Sequence, residues 1–92
     1  MNRDICKAIT DRKTIAFNYK GRQRRVEPHC YGIQHNGSEG LSAWQLAGGS
    51  GVGYRLFLVN EIDRIIAGEN FERPRPDYHH GDSRFSVIYA EL

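Results

Sequence analysis

The sequence predicts a fold of the α+β class that is mainly β: an N-terminal helix followed by a small antiparallel barrel of five strands. Three observations carry this. At Thr14 the apolar period changes from about 3.6 residues, which is helical, to about two, which is a strand. Strand-like runs then recur between turn dipeptides such as Lys20-Gly21 and Asn36-Gly37. Ten glycines in 92 residues supply the positive-φ positions such turns need. A closed sheet leaves no exposed strand edge, which makes a barrel the natural form for several short strands, and a chain of this length holds one core.

Residues 3–12 read as an amphipathic helix, with Ile5, Ala8 and Ile9 on one face and Lys7, Asp11 and Arg12 elsewhere. Asn2 is a suitable N-cap, Asp4 sits in the first turn, and Arg12-Lys13 close the end, all in the sense the helix dipole favours. So short a helix must dock on something to persist in water. From Thr14, the residues Ile15, Phe17 and Tyr19 alternate with Thr14, Ala16 and Asn18 as a half-buried strand. Lys20-Gly21 turns the chain into a second strand, residues 22 to about 33. Within it Pro28 cannot donate to a ladder and marks a bulge, bend or sheet edge.

His35-Asn36-Gly37-Ser38 is the next turn. Residues 41–46 follow as a third strand carrying Trp44, and residues 48–53 as a flexible glycine loop. Residues 54–59 are nearly continuously apolar, which predicts a strand covered on both faces. Ile62, Ile65 and Ile66 with Gly68 predict a short final core strand. Residues 72–77, with two prolines among charges, read as an extended linker. Residues 85–89 regain strand character, either as an edge strand of the same sheet or as a strand pairing with another copy. The domain proper is thus residues 1–71, and 72–92 are a linker-like segment and C-terminal strand.

No apolar run approaches the length of a membrane span, and Met1-Asn2-Arg3-Asp4 leads into no signal-peptide core, which predicts a cytoplasmic protein without a membrane partner. Cys6 and Cys30 are then expected as reduced thiols. Charge is unevenly spread: residues 1–30 hold eight basic side chains against three acidic, and the remainder five against eight. That asymmetry points to an anionic ligand meeting the N-terminal half.

Catalytic signatures fail one by one. Residues 48–53 lack the Gly-Lys-Ser/Thr of a phosphate-binding loop, and Ser50 lacks the glycine two places on that a nucleophile elbow needs. No carboxylate pair stands at a convergent spacing for acid–base work. His79-His80 with Asp77 and Asp82 lacks a distant pair to complete a tetrahedral metal site, and Cys6 and Cys30 have no zinc spacing. The expectation is a protein that is not an enzyme and uses neither cofactor nor metal.

A helix, the strand Ile15-Ala16-Phe17-Asn18-Tyr19, a short turn and Arg25-Val26-Glu27-Pro28-His29 stand in this order. Tyr31-Gly32, an aromatic strand over residues 41–45, Arg55-Leu56-Phe57 and Ile62 follow. The series resembles the WYL-domain family of bacterial regulators, and within it the small standalone members, over residues 3–71. The resemblance implies an Sm-like or SH3-like five-stranded barrel. It also implies a regulatory role, in transcription or defence, through binding nucleic acid or a nucleotide-like effector. The naming Trp-Tyr-Leu tripeptide of that family falls at Glu39-Gly40-Leu41, which keeps only the leucine and loses the tyrosine offered to the ligand. Trp44 and Gln45 are the substitutes at hand.

Candidate ligand contacts are therefore Arg25, His29, Tyr31, Trp44, Gln45 and Arg55. An arginine within an apolar strand is costly unless it reaches a partner or water. Its planar fork suits phosphate, and neighbouring aromatic rings suit base stacking. By alternation Arg25 faces away from Val26, whereas Arg55 shares a face with Phe57. The competing roles are an ion pair to Glu27 or Glu61 for Arg55 and a place in the core for Tyr31. Lys20, Arg22 and Arg24, around the first hairpin turn, are candidate phosphate contacts or a charged edge that resists aggregation. The sequence thus predicts a non-catalytic binding module. The alternatives are a small-molecule sensor, or an assembly subunit acting through a protein partner, with residues 85–89 as the contact of a homo-oligomer.

Overall fold

The computed structural model describes residues 1–49 and 51–92. Helix α1 (Arg3–Thr10) precedes strands β1 (Lys13–Tyr19), β2 (Arg22–Gln34), β3 (Glu39–Ala47), β4 (Gly53–Leu58), β5 (Asp63–Asn70) and β6 (Phe85–Glu91). One turn of 3-10 helix, Val59–Glu61, joins β4 to β5. The Asn2 side chain accepts from the Ile5 amide at 3.0 Å, which caps α1, and Ile5, Ala8 and Ile9 are buried. The helix stops two residues short of the expected end, because Arg12 takes a left-handed φ of 52°.

The sheet is antiparallel throughout, in the order β4-β3-β2-β1-β5, with β6 beside β2. β2 is long enough to hold two partners along one edge. Arg22 to Val26 pair with β1, and Cys30 to Gln34 pair with β6, while β3 runs along the opposite edge. The register against β3 shifts between Pro28 and Cys30, where the missing proline N–H interrupts the ladder. Gly32 lets β6 come close: a Cβ there would overlap the Val87 carbonyl oxygen.

Four expectations are corrected. There are six strands rather than five, because residues 85–91 complete the edge of β2 that β1 leaves open. The sheet is not closed: β4 and β5 end its path, and among the described residues no ladder joins them. β5 is an exposed edge strand rather than a core strand, with Ile66 63% exposed and only Ile65 turned partly inward. β4, expected to be covered on both faces, buries Phe57 alone.

The core joins Ile5, Ala8 and Ile9 of α1 to inward residues of β1–β4, among them Phe17, Val26, Leu41 and Phe57. Phe17, Tyr19 and Phe57 meet edge to face at its centre, with ring centroids 5.0 to 6.4 Å apart. Cys6 and Cys30 are both free thiols, and burial pushes the Cys30 thiol up to about 12. Among the described residues no helix is long and apolar enough to cross a membrane.

Candidate functional site

The first hairpin turn sets the site. Lys20 and Gly21 take φ of 49° and 76°, the left-handed pair of a tight two-residue hairpin, which leaves Lys20 and Arg22 exposed at its tip. Two residues along β2, Arg24 falls on the same face as Arg22 and turns inward. Its guanidinium carbon stands 5.4 Å from the Tyr19 ring centre and 5.9 Å from that of Phe57. Nη1 donates to the Gln45 side-chain oxygen at 3.1 Å and Nη2 to the Tyr19 carbonyl at 3.3 Å, while Nε is buried without a partner.

Gln45 is fully buried and organises its surroundings from both ends. Its Nε2 donates to the carbonyls of Gly48 and Gly51 at 2.7 and 2.6 Å. The same amide that receives Arg24 therefore fastens the glycine loop after β3, which is held rather than loose at these points. Gly49, at φ 50°, lies so close to Arg24 that a Cβ would overlap its Nη1. From β4, Arg55 donates to the carbonyls of Tyr54 at 2.7 Å and Gly51 at 3.3 Å. Lys20, Arg22, Arg24, Gly49 and Arg55 together line an open cleft of about 470 Å³. Among the described residues no carboxylate lines it. Four like charges around one hollow make a strongly positive local field.

The opposite face of the same strands is covered. Trp44 pairs with Tyr54, one step out of phase with Gln45, Ala43 and Arg55, so both rings face away from the cleft. Residues 71–78 strap across them. Arg75 donates to the buried Glu27 carboxylate from Nε at 2.7 Å and Nη2 at 3.0 Å, and its guanidinium lies 5.3 Å from the Trp44 ring centre. The Tyr54 hydroxyl reaches the carbonyls of Arg75 and Pro76 at 3.0 and 2.9 Å.

His29, 0% exposed, accepts the Arg75 amide on Nε2 at 3.0 Å and faces the Glu27 carbonyl with Nδ1 at 2.7 Å. That pair of contacts places its single proton on Nδ1. Tyr54, Phe71 and Tyr78 surround the ring, with centroids 5.0 to 6.1 Å away, and burial holds its pKa below the ordinary value.

The structure thus divides the sequence candidates. Lys20, Arg22, Arg24 and Arg55 come together. Arg25 is exposed on β2, outside the cleft lining. His29 and Trp44 lie under the strap. Gln45 supports the cleft from below without lining it. Tyr31 is wholly buried, its hydroxyl donating to the Glu39 carboxylate and accepting the Asn2 amide at 2.7 Å. Glu27, a possible partner of Arg55, is engaged by Arg75 instead. The roles of Arg75, Tyr54 and Tyr78 were not visible in the sequence, where Pro74-Arg75-Pro76 has the composition of a linker; the one hint was a lone buried-strand acid, Glu27, in need of a partner.

A second hollow of about 540 Å³ lies between the strap and β3, lined by Ser42, Tyr54, Tyr78 and Arg84 among others. Its arginine is taken by Asp82 and the Ser42 hydroxyl, and Asp77 also lines it, so it does not favour an anion. Among the described residues no three His, Cys, Asp or Glu side chains are grouped to hold a metal ion. Ser50, considered above as a nucleophile, lies outside the described residues. No known family model, curated protein or solved structure matches the chain.

Proposed function

We propose that this protein is a non-catalytic, WYL-like regulatory module that recognises nucleic acid or a nucleotide-like anion through the cleft of Lys20, Arg22, Arg24 and Arg55. One observation supports this above the others: four cationic side chains converge on a hollow that no carboxylate lines. Arg24 is steadied there by neutral partners, the Gln45 amide and the Tyr19 carbonyl, so its charge is positioned without being cancelled. Among the described residues nothing lining the cleft is a carboxylate or an imidazole able to move a proton near neutral pH, which favours binding over catalysis.

Fluorescence anisotropy with labelled single-stranded DNA and RNA across a salt series tests the proposal. The expected result is binding that weakens with a log–log slope of about −0.7 per phosphate neutralised. Absence of salt-sensitive binding at tens of micromolar would reject it. The alternative, an assembly subunit joined through residues 85–89, has less support, because that strand already gives one edge to β2 of its own chain.

A further inference from the structure

We infer that the cleft reads phosphate and not base, so that its ligand is a run of phosphate groups taken without regard to nucleobase. This rests on the reading of the cleft as an anion site and narrows it.

Among the described residues no aromatic ring lines the cleft. The nearest, Tyr19 and Phe57, are buried in the core beneath the Arg24 guanidinium, which covers them at 5.4 and 5.9 Å. The rings that the sequence sets beside the cations, Trp44 and Tyr54, lie across the sheet beneath the strap. A base entering the cleft therefore meets no face on which to stack, and stacking is the main source of affinity for bases in single-strand sites.

Base edges fare no better. Telling one base from another takes a donor and an acceptor at fixed positions. Among the described residues, the side chains lining the cleft are ammonium and guanidinium groups, which donate only. Gln45, a nearby side chain carrying both kinds of group, is engaged at both ends, by Arg24 and by the carbonyls of Gly48 and Gly51. Donors alone match the oxygens common to every phosphate. The cleft is also open, so it suits a chain lying across it better than a nucleoside enclosed within it.

The experiment is anisotropy on the full chain with equal-length labelled homopolymers of dT, dA, dC and rU, with inorganic tripolyphosphate as competitor. Dissociation constants should agree within about threefold across the homopolymers, and Trp44→Ala should leave them unchanged within about twofold. Lys20→Ala and Arg22→Ala should each weaken all four in equal proportion. Displacement by tripolyphosphate would identify free polyphosphate as a sufficient ligand. Resistance to it, with equal homopolymer affinities, would identify the sugar-phosphate chain, and either result keeps the inference. A preference of about tenfold or more for one base overturns it while leaving the anion site intact. Failure of every polyanion to bind overturns instead the reading of the cleft beneath it.

Discussion

On one face of β2–β4, Arg24 donates to an amide and a carbonyl, and the cleft beside it stays open. On the other, Arg75 gives two nitrogens to the Glu27 carboxylate and lies over Trp44, and the chain closes over it. Both arginines rest against aromatic rings and both are fixed by hydrogen bonds. The difference is the charge of the partner. A guanidinium held by neutral groups keeps its field for a ligand, while one held by a carboxylate is neutralised and serves the fold. Counting arginines near aromatic residues does not separate the two uses; asking where the carboxylates are does.

The largest effect expected from breaking this contrast is on the strapped face. Arg75→Ala leaves the Glu27 carboxylate, with 8% of its side chain exposed, without its partner. Because Arg75 itself is 38% exposed, some of that loss is relieved by water, and a destabilisation of about 2 kcal/mol is expected in urea unfolding. Anisotropy on the folded variant should show cleft binding unchanged; a parallel loss of binding would mean that the two faces are coupled.

The converse experiment is Lys20→Ala with Arg22→Ala. Both side chains are exposed and, among the described residues, enter no ion pair. Affinity for single-stranded oligonucleotides should fall about tenfold, whereas unfolding should move by no more than about 0.5 kcal/mol. Gly49→Ala sharpens the contrast within the cleft, since its new methyl group meets Arg24 Nη1 at a residue with φ of 50°. It should cost about 1 kcal/mol and reduce affinity through displacement of one guanidinium, and a structure of the variant would show Arg24 moved.

The last test uses pH. His29 is buried and neutral, with its pKa lowered chiefly by burial from an ordinary 6.5. Below that value the unfolded chain takes up a proton that the folded one refuses. The strap's contribution is therefore complete above about pH 6.5 and is lost as pH falls through the lower folded value. Urea midpoints taken between about pH 7.5 and 5 should decline, and His29→Gln should flatten the decline.

How much of this was legible depends on how local the cause was. Asn2, Ile5, Ala8 and Ile9 specify α1 through spacing alone, and the hairpin at Lys20-Gly21 follows from two residues. Pro28 marked a break in β2 because a proline lacks a donor wherever it stands. The face shared by Arg55 and Phe57 also followed from alternation, and carried back to β2 it selects Arg24 over Arg25. Long-range pairing was not legible. Ile62, Ile65 and Ile66 resemble a core strand in composition, yet β5 lies at the sheet edge, since among the described residues its ladder partner is β1 alone. Nor did Pro74-Arg75-Pro76 show that it docks, since its contacts to Glu27, His29 and Tyr54 join residues from two strands, β2 and β4, that lie far from it in sequence.

β2 shares a single edge between β1, its immediate neighbour in the chain, and β6, which is made much later. On the ribosome, a nascent chain that has reached only β5 exposes the amides and carbonyls of Cys30 to Gln34 as an open template for any passing strand. The arrival of residues 85–91 removes that template. This stretch of β2 is therefore most prone to mispairing during synthesis, and once β6 has paired with it the open edges left are those of β4 and β5.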